Sequence, residues 1–130
     1  MNDSPDAIAA LEQQGAQLRR SKKGSVLIVD LRGCISPVTD DTLLHVAQLP
    51  RTRELYLEGT KITDAGLQTL AELAGLHTLD LQRTPISDAS WPLFQSLPAL
   101  RLLLLAGTNV TRPALQAARP RMLEVRIVLP

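Results

Sequence analysis

The feature that most constrains this chain is an internal period of 24 residues. The string Leu76-x-x-Leu79-x-Leu81-x-x-Thr84-x-Ile86-Ser87-Asp88 recurs one period later as Leu100-x-x-Leu103-x-Leu105-x-x-Thr108-x-Val110-Thr111. One period earlier it reads Leu55-x-Leu57-x-x-Thr60-x-Ile62-Thr63-Asp64, and a further step back keeps Val38-Thr39-Asp40 in register. The segment in front, Val26-x-x-Val29-x-Leu31-x-x-Cys34, is displaced by two residues, which Ser36-Pro37 explains as an insertion in the turn. A partial copy closes the series at Ile127-x-Leu129. The second halves also superpose: Leu43/Val46/Leu49, Leu67/Leu70/Leu73, Trp91/Phe94/Leu97 and a weaker Leu115/Ala118. A chain of this kind is one small unit stacked on copies of itself, each burying its apolar edge against its neighbours.

Within each unit the apolar period changes. Leu-x-Leu is period two, a short strand. Leu67, Leu70 and Leu73 stand three apart, one face of a short helix. Thr-Asp or Ser-Asp pairs open the helices, where hydroxyl and carboxylate oxygens accept from free N–H groups. Gly75, Pro50 and Pro98 stop them. The expected fold class is therefore α/β: about four repeats plus a terminal strand form a parallel sheet on one side and helices on the other. Parallel crossovers make such a solenoid right-handed. Aromatic residues are only 2% of the chain, so leucine fills the core.

The repeated string resembles the leucine-rich repeat. With Thr or Cys rather than Asn at the turn, it is similar to the cysteine-containing subclass found in F-box receptors. Thr60-Lys61-Ile62-Thr63-Asp64-Ala65-Gly66-Leu67 resembles the T-x-I-T-D-x-G-L repeats of bacterial proteins. The resemblance covers about residues 25–130, and departs from the pattern at Arg112, which replaces the Asp, and at the Ser36-Pro37 insertion. It implies a curved interaction surface, with the sheet on the concave side and helices on the convex side, and no fixed activity. No F-box is present, so a ubiquitin-ligase role does not carry over.

Residues 1–24 are different. Asp3-Ser4-Pro5-Asp6 is a helix start with Pro in the first turn. Ile8, Leu11 and Leu18, with Ala7, Ala10 and Ala16 between them, predict an amphipathic helix to about Leu18 that caps the open end of the repeats. Arg19, Arg20, Lys22 and Lys23 then fall at the helix's negative end before Gly24. They read as a solvated helix end, with a phosphate or lipid contact as the functional alternative. The chain is expected to be one domain overall, with this cap and basic turn over 1–24 and the repeats over 25–130.

Several function classes are excluded. Fourteen Lys+Arg against thirteen Asp+Glu give +1, too little for an electrostatic nucleic-acid binder. One Cys precludes an internal disulfide framework and a cysteine-based zinc site. No apolar run reaches the ~18 residues of a membrane span, and the acidic start does not read as a signal peptide, so a cytoplasmic location and no membrane contact are expected. No phosphate loop, nucleophile elbow or metal spacing occurs, and no cofactor is expected. His45 reads as an exposed helix residue and His77 as exposed before a strand. Cys34 stands in the Thr60/Thr84/Thr108 column and reads as structural. Asp40, Asp64 and Asp88 read as helix caps rather than a calcium ladder, because calcium needs about six oxygens.

Residues between the strand leucines point out of the sheet. The first outward row reads Ile28, Glu54, Thr78, Leu102, Arg126; the second Asp30, Tyr56, Asp80, Leu104, Val128; the third Arg32, Glu58, Gln82, Ala106. Asp30, Arg32, Glu54, Tyr56, Glu58, Asp80 and Gln82 form a polar, acidic patch around one tyrosine, the candidate partner-binding site. Leu102, Leu104, Arg126 and Val128 mark an apolar end suited to self-association. The expected function is a non-catalytic protein–protein interaction module that binds a protein partner on the concave face. The alternative is a structural subunit that forms a homodimer through its C-terminal edge.

Overall fold

Each change of period in the sequence is a change of element in the structure. The computed structural model describes residues 2–129. The period-two stretches form the strands β2 (Val26–Asp30), β3 (Glu54–Tyr56), β4 (Thr78–Asp80), β5 (Leu102–Leu104) and β6 (Arg126–Val128). All five are parallel and pair in sequence order, so that Ile28, Glu54, Thr78, Leu102 and Arg126 stand in one row. The ladder continues past the strand ends: Leu57 N–H donates to Asp80 O at 2.9 Å and Leu81 N–H to Leu104 O at 2.9 Å.

The period-three stretches form α2 (Asp40–Val46), α3 (Asp64–Leu67), α4 (Trp91–Ser96) and α5 (Arg112–Ala118), with 3₁₀ turns at Gln68–Leu70, Asp88–Ser90 and Arg119–Arg121. Their apolar faces close on the strand leucines in one continuous core: Leu43, Val46, Leu67, Leu70 and Phe94 from the helical side, Leu55, Leu57, Leu79, Leu81, Leu103 and Leu105 from the sheet. Trp91 and Phe94 meet edge to face, ring centroids 5.5 Å apart. The last helix covers least, as only Ala118 of α5 is fully buried and Leu115 is half-buried. This is an α/β repeat fold.

The N-terminal segment departs from the expected long helix. Helix α1 (Pro5–Gln13) stops five residues short of Leu18. Gly15 turns the chain at φ +94°, where a Cβ would stand 3.1 Å from the Ile35 nitrogen. Beyond this turn the chain forms strand β1 (Gln17–Arg20), antiparallel to β2. Leu18 pairs with Val29 on the core side and Arg19 with Ile28 on the outer side, so period two governs this stretch, not the helical period. The basic residues are consequently divided between a strand and the turn after it, and none stands at a helix end. Ala7 and Leu11 bury the inner face of α1. The Ser36-Pro37 insertion bulges Ile35 into solvent and is tied to the end of α1, where the Gln14 side chain donates to Pro37 O and Thr42 Oγ1, both at 3.2 Å.

The recurring aspartates also differ from the helix-cap reading. Each carboxylate reaches forward into the next repeat. Asp40 accepts from the Thr63 N–H (2.7 Å) and hydroxyl (2.6 Å), Asp64 from those of Ser87 (2.9 and 2.7 Å), and Asp88 from those of Thr111 (2.9 and 2.8 Å). The caps come from hydroxyls instead: Ser87 Oγ accepts from Ala89 N–H and Thr111 Oγ1 from Ala114 N–H. As Asp40 is placed, a Cβ at Gly66 would overlap its carboxylate. In the next repeat Ser90 takes the same position and donates its hydroxyl to Asp64. Arg112 stands where the ladder would continue, and donates to Leu129 O at 3.2 Å.

Candidate functional site

The outer face of the sheet presents the three rows expected from the sequence, and β1 extends them. Gln17 stands opposite Asp30 and Arg19 opposite Ile28, two positions the helical reading of this segment missed. The signal for them was Gly15 together with the turn-forming Ser21-Lys22-Lys23-Gly24-Ser25 between Leu18 and Val26.

The centre of the face is a set of locked pairs. The Arg32 guanidinium forks onto Asp30, Nε to Oδ1 at 3.0 Å and Nη2 to Oδ2 at 2.8 Å, and lies 4.6 Å above the centre of the Tyr56 ring. The hydrogen bond from Arg32, with its charge and N–H adding to it, holds the Asp30 carboxyl below its ordinary range against the opposing effect of burial. The Tyr56 hydroxyl donates to Glu54 Oε1. That bond, with partial burial and the Glu54 charge, pushes the phenol up to about 12. Glu58 pairs with Arg83, which holds φ +54° where the neighbouring repeats have Gly59 and Gly107. A side chain in that left-handed conformation carries strain on the order of 1 kcal/mol or more.

Asp80 is the exception among the expected surface carboxylates, being only 2% exposed. Tyr56 and Leu104 flank it in its row, and its Oδ1 accepts from the Gln82 N–H and side-chain amide, both at 3.1 Å. Asp80 is therefore a buried support beneath the face rather than a contact residue. Thr78, also expected on the outer row, is likewise buried. The carboxylate ring read from the sequence is thus largely self-satisfied: Asp30 on Arg32, Glu58 on Arg83, Glu54 on the Tyr56 hydroxyl.

Towards the C-terminal strands the face turns apolar, with Leu102, Leu104, Ala106 and Val128 half-buried and Arg126 exposed. His77 is exposed, whereas His45, expected to be exposed, is half-buried on α2. Cys34 is half-buried against the core; burial, then the Asp30 charge, raises its thiol, which disfavours the nucleophilic thiolate. Among the described residues no group of His, Cys, Asp and Glu converges to hold a metal ion, and no helix is long and apolar enough to cross a membrane.

Repeats stacked in register, with a ladder of side-chain bonds linking each to the next, set the frame for comparison with known proteins. A scan of protein families matches residues 50–110 to the leucine rich repeat. Residues 50–110 are therefore a leucine-rich repeat segment. The match spans the core of the repeat stack, from the turn before β3 to the turn before α5. Leucine-rich repeats generally serve protein–protein interaction and are typically not enzymes. A search of curated proteins finds no match to this chain.

Proposed function

We propose that this leucine-rich repeat chain is a non-catalytic interaction module that binds a protein partner on the outer face of its sheet. We take that face to be the concave side of a right-handed solenoid, closed at its N-terminal end by α1 and β1. The observation that carries the reading is the Arg32–Tyr56 stack, clamped from both sides by Asp30 and Glu54. Arg and Tyr are favoured anchors of protein interfaces. Here much of their rotamer freedom is already spent in the free chain, which lowers the entropic cost of binding. Glu54 and Gln82 beside the stack suit a polar segment of the partner, and Leu102 and Leu104 suit an apolar continuation of it.

The test is a binding measurement on a recovered partner. Tyr56→Ala combined with Arg32→Ala should weaken it by about thirtyfold or more, the effect of losing a central anchor. Lys61→Glu, in the turn before α3, should leave it unchanged. A partner indifferent to the double substitution places the site elsewhere. Asp80→Arg is unsuitable as a probe, because it would place a larger cation in a buried position where the Gln82 N–H groups need an acceptor.

A second reading, self-association, is favoured by the edge of β6. That strand pairs with β5 alone among the described residues, and the apolar Leu102, Leu104 and Val128 lie beside it. Open apolar edges pair with other chains, and a two-fold dimer would use the same surface twice. Light scattering across micromolar concentrations decides this. A dimer weakened by Val128→Lys supports it, and a monomer throughout refutes it.

A further inference from the structure

We infer that the chain carries a second site, for phosphate-type anions, at the edge of the sheet where β2 and β3 begin. A cavity of about 520 Å³ opens there, within the range of small-ligand pockets. Lys22 and Lys23 line it from the β1–β2 turn, Arg51 and Arg53 from the α2–β3 turn, and Leu27 and Pro50 form apolar wall. Four cationic residues from two segments about thirty residues apart line one concavity, and among the described residues no carboxylate lines it.

These four side chains are also uncommitted. Arg32, Arg83 and Arg101 are ion-paired to Asp30, Glu58 and Glu124. Lys22, Lys23, Arg51 and Arg53 make no ion pair or side-chain hydrogen bond with any described residue. Their backbones, by contrast, are fixed. Thr52, fully buried between the two arginines, donates its hydroxyl to Leu49 O at 2.8 Å, so Arg51 and Arg53 are both turned outward. Arg53 N–H donates to Leu27 O at 2.7 Å, and Arg53 O accepts from His77 N–H at 2.7 Å. The lysine turn is closed by Ser21 N–H on Ser25 O at 2.8 Å. Unpaired cations on a fixed backbone leave their charge available to an incoming anion. Guanidinium forks match phosphate oxygens, and ammonium groups add point charge.

The chemistry is shared by a soluble phosphorylated molecule and a phosphorylated lipid headgroup, and two probes separate them. Sodium pyrophosphate is titrated into the ¹⁵N-labelled full chain, and the chain is mixed with phosphatidylcholine vesicles with and without phosphatidylinositol bisphosphate. The expected result is saturable shifts confined to amides of residues 21–27, 51–53 and 75, or vesicle binding that requires the bisphosphate. The first assigns a soluble ligand and the second a headgroup. Arg51→Glu with Arg53→Glu should weaken either response by about tenfold or more. Lys61→Glu, an equal change in charge per site elsewhere, should alter it by no more than about twofold. Lys22→Gln with Lys23→Gln gives a second reading if the arginine variant fails to fold. No saturable response in either arm, or equal weakening by Lys61→Glu, overturns the site.

Discussion

Replacing Asp64 with alanine removes one rung of the ladder that ties each repeat to the next. The carboxylate accepts from the Ser87 N–H at 2.9 Å, the Ser87 hydroxyl at 2.7 Å and the Ser90 hydroxyl. Hydrogen bonds to a charged group contribute on the order of 1.5–3 kcal/mol each, and partial exposure of Asp64 reduces that, so Asp64→Ala should cost about 2–3 kcal/mol. A sharper consequence lies at Ser90, which is fully buried. In the wild-type background Ser90→Ala loses a satisfied hydrogen bond and should cost about 1–2 kcal/mol. With Asp64 already gone, the Ser90 hydroxyl is a buried donor without an acceptor, and Ser90→Ala should then cost nothing or stabilise. Urea unfolding of the four proteins, followed by circular dichroism and by fluorescence of the single Trp91, measures the cycle. If Ser90→Ala costs the same in both backgrounds to within about 0.5 kcal/mol, the carboxylate is not what satisfies that hydroxyl, and the ladder argument fails.

Acid should weaken the same ladder. Burial raises the Asp64 and Asp88 carboxyls, but hydrogen bonds from Ser87 and Ser90, and from Thr111 and Trp91, outweigh it and leave both below 3.8 when folded. Depressed values stabilise the fold fully above about pH 4, and that stability is lost as pH falls through 3.8 towards the folded values, so the melting temperature should drop there and drop less in Asp64→Ala. Phenolate absorbance should place Tyr56 at about 12 in the folded chain, and Glu54→Gln should bring it down; an unchanged value would deny the Glu54 bond. Deleting residues 1–20 removes α1 and the β1 partner of β2, baring Val26 and Val29, and should reduce solubility and melting temperature. A truncated chain that stays soluble and melts with the full-length protein would show that the N-terminal segment is not a cap.

The repeat, its strands and its outward rows were legible in the sequence because their causes are local and periodic. Period two set the faces of Leu55/Leu57 and Leu79/Leu81, and period three set Leu67/Leu70, whatever lay beyond them. The rows Ile28–Glu54–Thr78 and Asp30–Tyr56–Asp80 came from the 24-residue register alone. The alignment of these rows was therefore legible in advance. What each residue does there depended on neighbours one repeat away. Asp80 and Glu58 look alike as isolated carboxylates, yet Tyr56 and Leu104 bury the first and Arg83 pairs the second. The aspartate ladder was misread for the same reason, since a Thr-Asp pair signals a helix start locally, while the Asp64 oxygens find their donors 23 and 26 residues on. In the N-terminal segment the positive-φ turns at Gly15 and Gly24 and the open edge of β2 overrode an apolar stripe that fitted a helix. Local period and composition are properties of the chain; burial, pairing and the placing of Lys22 and Arg51 on one cavity are properties of the packing, which only the tertiary structure decides.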